Sequence, residues 1–392
     1  MPNSQLRRRD FLIGLTAAGA AGAARAASGA AGRAAQDGGP GPTWMYVGSF
    51  TGEGRGHGDG LSVFHRAGDA DRWTQVQALK ELADPSFVIT DRRRRFLYSV
   101  HGDGTQATAF RIDDATGRLS VLNQQPTGGR NGVHLAIDAT GRFLVLANYA
   151  TGTIALLPIA GDGSLGPRCD LAALTGTPGP HRTQQESSHP HHCPFDRSGR
   201  VIVVPDKGLD KIFVFRVDAS RGALAPAARP DVASRAGAGP RHVDFHPTLP
   251  YVYVVNELDS TIAVYKFDGS SGGLEPLQVH TTLPSRYTGN NTGAEIAVAP
   301  SGRFVYGSNR GHDSIAIFAI DQATGLLAPA GWEPTRGKTP RFFGLDPTGT
   351  HLYAANQTSD TVVIFRIDQS SGTLTATGET IEVRSPTAIA FR

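Results

Sequence analysis

Cysteine is nearly missing from this chain: Cys169 and Cys193 are the only two in 392 residues. A disulfide framework therefore does not hold it together, although one bridge between them stays open, since sequence cannot show whether their Cβ atoms meet. Net charge is almost as scarce. The formal +3 comes from residues 1–26, where Arg7, Arg8, Arg9 and Arg25 stand against Asp10, and the remainder carries 34 basic and 34 acidic side chains. A neutral body gives no electrostatic reason to expect nucleic acid or an anionic membrane as partner. The apolar stretch Phe11 to Ala24 is too short to span a bilayer comfortably, so no stable membrane span is expected after processing. No phosphate-cradling loop, dinucleotide fingerprint or strand-to-helix nucleophile elbow is evident, and no cofactor is implied.

The first 26 residues read as an export leader. An arginine cluster precedes the apolar stretch, and Ala24-Arg25-Ala26 has the form of a small-residue cleavage site. Arg8-Arg9-Asp10-Phe11-Leu12 resembles the twin-arginine motif read by that export machinery, with Ile13 where a lysine is often found. The expected location is periplasmic or extracellular. Residues 27–43, rich in glycine and alanine, are expected to be a flexible tether.

What the rest of the chain has in abundance is repetition. A strand–turn–strand unit starts at residues 44, 96, 143, 201, 251, 304 and 351, with steps of 52, 47, 58, 50, 53 and 47 residues. Clear copies are FLVLANYATGTIALLPI (143–159), YVYVVNELDSTIAVYKF (251–267) and HLYAANQTSDTVVIFRI (351–367). A period near fifty built only of strands and turns predicts an all-β, seven-bladed propeller of four-stranded blades over residues 44–392. In the fourth unit the expected strands are 191–196, 201–206, 211–218 and a shorter outer one around Leu224. Turns of the form Asp-x-x-Gly, at Asp138, Asp196 and Asp346, supply hairpins. Residues 385–392 match an innermost strand with nothing after it, while the first unit lacks one, so the C-terminal strand is expected to complete the first blade.

Propellers bind ligands where the innermost strands meet the central channel. Unusual polar residues fall there: His189, His191 and His192, Arg241 beside His242, Glu295 and Arg341. The ends of the second strands add Asn148, Asp206, Asn256-Glu257 and Asn309-Arg310. The asparagine recurring at 148, 256, 309 and 356 suits a backbone cap better than a catalytic set. Three histidines within four residues invite a metal, but on a strand His192 points away from the other two, and no metal is expected.

GPRHVDFHP (239–247), YVYVVNELDSTIAVY (251–265) and GAEIAVAPSGRFVYGSNRGHDSIAIF (293–318) resemble the seven-bladed propeller lactonases, as do SHPHHCPFD and VPDKGLDKI (204–212). That family includes propeller-type 6-phosphogluconolactonases and carboxy-muconate lactonizing enzymes. The resemblance implies a catalytic set of His191, Arg241, Glu257 and Arg310, with Asn148, His189, Asp206, Glu295 and Arg341 as substrate-binding candidates. It also implies a small-molecule lactone as substrate. Two positions depart from the family's usual pattern: Gln184-Gln185 where Arg-Gln is common, and Lys207 where leucine is common.

Lactone hydrolysis needs a base for water and donors for the carbonyl oxyanion. His191 or Glu257 could be the base, and guanidinium forks at Arg241 and Arg310 suit an oxyanion or a substrate anion. Structural alternatives stand beside these roles. His191 could bond neighbouring blades, Arg241 and Glu257 could be an inter-blade ion pair, and Arg310 could belong to a turn. Muconate-type lactonization and a non-catalytic binding propeller remain the alternative functions, and a monomer is expected of a self-closed ring.

Overall fold

A computed structural model describes residues 43–68 and 72–392; the leader expected over 1–26 and, apart from Thr43, the tether over 27–43 lie outside them. Seven antiparallel sheets follow one another along the chain, and the second strand of each begins at one of the seven repeat starts read from the sequence. Six sheets have four strands as named elements. The propeller is thus all-β, as expected.

The second strands explain why the sheets must pack together. Phe96–His101, Phe143–Asn148 and Val201–Asp206 are buried at every position, so they are covered on both faces. The core is accordingly divided among the interfaces between neighbouring blades, as where Val133 and Ile154 meet Ile202 and Phe213. The Asp-x-x-Gly turns work through their carboxylates. Asp138 Oδ1 accepts from the amides of Arg142 and Phe143, both at 2.8 Å, and Asp196 does the same for Arg200 and Val201. The run Arg92–Arg95 occupies the equivalent turn in blade two, where Asp91 accepts from Arg95 and Phe96.

A lock between blades recurs along the ring. Tyr46, Tyr98, Tyr253 and Tyr306, each two residues into a second strand, donate their hydroxyls to the carbonyls of Gly117, Gly163, Gly325 and Gly372 in the next blade's outer hairpin, at 3.0–3.1 Å. The aromatic residue two positions earlier lies flat on the same glycine. A Cβ on Gly325, whose φ is 69°, would stand 2.3 Å from the Tyr251 ring, so side chain and backbone both demand glycine there.

The ring closes as the sequence suggested. Strand Pro386–Phe391 pairs with Trp44–Ser49 and becomes the innermost strand of blade one. Met45, Val47 and Ile389 then pack against Tyr353 and Val362 of blade seven.

Two expectations for blade four need correction. Residues 191–196 do not form a regular strand; only isolated bridges, Pro190 with Asp206 and Phe195 with Ile202, hold the segment to its neighbour. Pro190, Pro194 and the facing Pro205 lack amide hydrogens, so a continuous ladder cannot form. The outer strand is not short either, running over Ala223–Ala233. Both cysteines are free thiols, Cys169 exposed and Cys193 buried.

Removing residues 386–391 should abolish the cooperative thermal transition, because it unpairs blade one and opens the blade-seven interface; circular dichroism melting checks this. Tyr253→Phe, which deletes one lock and keeps the ring, should cost about 1 kcal/mol in urea unfolding.

Candidate active site at the channel mouth

The innermost strands place side chains in the channel by a shared irregularity. Four of them open on proline or glycine, and the register slips immediately afterwards: between Pro85 and Phe87, Gly132 and His134, Pro240 and His242, and Pro340 and Phe342. The skipped residue is a bulge, off the ladder and turned toward the axis. Those residues are Ser86, Val133, Arg241 and Arg341. In blade six the slip spans two residues, Ala294 and Glu295. The broken strand of blade four presents His191 at the equivalent place, after Pro190.

A cavity of about 190 Å³ opens here, lined by Arg55, Asn131, Val133, Tyr149, His191, Lys207, Glu257, Arg310 and Arg341. An adjoining constriction of about 10 Å³ is bounded in part by His191, Arg241, His242, Glu295 and Arg341. Clefts of about 490 Å³ lie elsewhere, one beside Asp84 and His101, another beside Tyr265 and Leu277, and neither gathers cations in this way.

Two polar belts cross the same three blades. In the first, the buried Glu257 carboxylate takes Lys207 of blade four at 3.2 Å, Arg241 of its own blade at 2.9 Å and Arg310 of blade six at 3.3 Å. Arg241 and Glu257 are therefore an ion pair within one blade, and Lys207 and Arg310 are what tie it to the neighbours. Burial pushes the Glu257 carboxyl up, but Arg310, Lys207 and Arg241 together outweigh that and hold it well below the carboxylate range. A carboxylate so firmly ionised and so fully paired is a weak proton acceptor.

In the second belt His191 Nδ1 lies 3.2 Å from His242 Nε2, and His242 Nδ1 lies 2.9 Å from Glu295 Oε1. The three residues stand on the innermost segments of blades four, five and six. Burial lowers both imidazoles well below their ordinary value, and the Arg241 charge adds to it. Burial raises the Glu295 carboxyl to about 8.

Arg341 is the unusual cation. Its guanidinium rests over the Phe50 ring, 4.9 Å from the centroid, and has no carboxylate or hydrogen-bond acceptor among the described residues. Burial, then Arg241 and Arg310, lower its basicity, but a guanidinium stays charged. Arg55, at the rim, is by contrast paired with Asp103.

The remaining expected site residues do not reach the cavity. Asn148 is fully buried, and its amide donates to Thr153. Asn256, Asn309 and Asn356 bond the hydroxyl five residues on in the same way, a strand-end brace repeated in blades. Asp206 is fully buried and accepts from Ser188 and from the amides of His189, Gly208 and Leu209, organising a turn. His189 stacks on Tyr149, centroids 4.4 Å apart and 7° from parallel, behind the cavity wall. His192 lies beneath, its ring stacked on His242. The single G-x-S-x-G spacing, Gly269–Gly273, lies in a turn where Ser271 donates to Asp268. No group of three or more His, Cys, Asp or Glu residues among those described is arranged to hold a metal ion.

Sequence reasoning placed His242 at the channel without giving it a role, noted Lys207 only as a departure, and missed Tyr149, Arg55 and Asn131, whose buried Oδ1 has no partner. A signal was available. Partners from different blades lie one repeat apart in both belts, as at 50, 51 and 53 residues. The two departures noted at 184 and 207 also meet: Lys207 Nζ donates to Gln184 Oε1 at 2.7 Å.

The model of the seven-bladed β-propeller lactonases matches residues 44–391. The chain belongs to that family. A 6-phosphogluconolactonase of Bacillus subtilis is 34% identical over 304 residues, covering 77% of this chain and 84% of the relative. One from Formosa agariphila is 32% identical over 312 residues, covering 77% and 86%. The structure of the periplasmic gluconolactonase of Pseudomonas aeruginosa superposes with a TM-score of 0.82 at 29% identity, covering 89% of this lactonase-family chain and 98% of that one.

Glu257→Gln should lower stability by about 3–5 kcal/mol at neutral pH, since Lys207, Arg241 and Arg310 lose their counter-charge. A depressed carboxyl stabilises above its unfolded value and loses that contribution as acid protonates the folded form, so the variant should also lack part of the wild-type acid decline. Melting temperature against pH checks both.

Proposed function

We propose that this lactonase-family protein hydrolyses a sugar-acid lactone, with 6-phosphogluconolactone or a related aldonolactone as substrate class, in the cavity beside His191. The observation that carries the reading is the unpaired guanidinium of Arg341 in a cavity where Lys207, Arg310 and Arg341 face one ionised carboxylate, Glu257. Such a site has an unfilled place for an anion, either a phosphate or carboxylate tail or the oxyanion of an opening lactone.

In this reading His191 faces the water and the carbonyl, because its Nδ1 is engaged by His242 and its Nε2 bonds no group among the described residues. Arg341 and Arg310 bind the oxyanion or the acidic tail. Arg241, held to Ala294 O at 2.6 Å and to Glu257, keeps the wall in place behind them. Glu257 acts as the fixed counter-charge. His191 thus replaces the open choice between His191 and Glu257 as base.

The unphosphorylated reading has its own support. The leader over residues 1–26 suits export, and the similar Pseudomonas aeruginosa protein is a periplasmic gluconolactonase. A periplasmic enzyme meets few sugar phosphates.

Hydrolysis of glucono-δ-lactone and its 6-phosphate from mildly acidic to mildly alkaline pH, with the uncatalysed opening subtracted, tests the proposal. Turnover should survive EDTA and fall about a hundredfold in Arg341→Ala. If the phosphate is what Arg341 holds, the loss should appear in KM for the phosphorylated lactone alone. Folded wild-type protein without turnover on either lactone would overturn the assignment.

A further inference from the structure

The lactonase reading leaves a chemical difficulty at His191. Its ring is buried beside Arg241, with Arg341 and Lys207 also nearby, and only the Glu257 charge favours its protonation. An imidazolium there is disfavoured, so His191 alone is a poor place to leave the proton of an attacking water. Behind it, however, lies a second imidazole and then a carboxyl group, each joined to the next.

We propose that His191, His242 and Glu295 form one proton relay leading from the substrate cavity to a buried carboxylate, with His242 and Glu295 as positioning residues that set which proton His191 presents. The inference rests on the lactonase reading for its chemistry and on the two hydrogen bonds for its geometry. The carboxylate is built for the task. Glu295 Oε1 accepts from the amide of Ile296 at 3.0 Å, its own amide donates to Ser308 Oγ, and the other carboxyl oxygen, Oε2, is buried with no partner. The two-residue slip of blade six is what aims it at His242. The charged and titratable groups around it are Arg241 and His242 from blade five's innermost strand, Asp244 farther along that strand, and Arg341 from blade seven.

The relay has two forms. With Glu295 ionised, His242 Nδ1–H donates to Oε1 and His242 Nε2 accepts from His191 Nδ1–H, so His191 Nε2 offers a lone pair to the cavity. With Glu295 protonated on Oε1, every bond reverses, and His191 Nε2–H becomes a donor.

Hydrolysis uses the forms in turn. Water oxygen bonds to the lactone carbonyl carbon as its proton passes to His191 Nε2. His191 Nδ1–H moves to His242 Nε2, and His242 Nδ1–H moves to Glu295 Oε1. The carbonyl re-forms, the ring C–O bond breaks, and the departing oxygen takes the proton from His191 Nε2 as the relay runs back. The carboxylic acid produced then ionises to solvent. The three transfers are concerted, so no imidazolium accumulates beside Arg241. Unlike a triad carboxylate that only orients its histidine, this one holds the proton, which its elevated affinity allows.

The test uses the full chain labelled with ¹⁵N-histidine, in wild type, Glu295→Gln and His242→Gln. In wild type His191 Nε2 should change from proton-bearing to proton-free as pH rises from 6 to 9.5, and kcat should rise over the same interval. Glu295→Gln should hold His191 in one form throughout and lower kcat at least a hundredfold with KM nearly unchanged. His242→Gln should uncouple the His191 form from Glu295. A wild-type tautomer change that persists in Glu295→Gln, or a folded Glu295→Gln enzyme with the wild-type kcat and pH profile, would overturn the relay. Wild type that switches tautomer yet opens no lactone supports the relay and removes the lactonase reading instead.

Discussion

A sheet that is apolar on both faces cannot stop at an open edge of the molecule. Every blade here carries second strands buried at nearly all positions, so each needs a neighbour on either side, and only a ring supplies that to all seven. Pairing Pro386–Phe391 with Trp44–Ser49 is the constraint on which the rest depends. With it, the tyrosine-to-glycine locks between blades act in concert; without it, blades one and seven would each expose an apolar face.

The same closure lets the channel hold charges that would otherwise separate. Arg241, Arg310, Arg341 and Lys207 converge there, while Glu257 is the carboxylate that faces them as a firmly ionised counter-charge. Their mutual repulsion is offset by packing far from the axis, in interfaces such as that between Val203 and Val254. A flexible loop would relax around such a cluster, whereas a closed ring keeps it in place.

Much of this was legible in the sequence because a repeat exposes its own rules. The seven second strands, the Asp-x-x-Gly turns and the closing strand all follow from signals that recur with a period near fifty. His191, Arg241, Glu257 and Arg310 do converge, yet sequence could not say that Glu257 would be saturated with cations while Glu295 would be left with a vacant oxygen. Asn148 and Asp206 look like site residues only because strand ends border the channel, and their hydrogen bonds turn inward, to the Thr153 hydroxyl and to the amides of a turn respectively. Three prolines broke the innermost strand of blade four, a local rule that the repeat masked. Lys207 stood out only as a departure, and its meeting with Gln184 is a contact between a loop and a strand end that no periodicity reports.

The closing strand also touches the chemistry. Thr387 lies on it and borders the constriction beside His191 and Glu295. A ribosome makes this chain from the other end, so blades two to seven and most of blade one exist before that wall does. The pocket therefore has no partially assembled form with its full lining until Pro386–Phe391 has been made and has found the first strand, some 340 positions behind it.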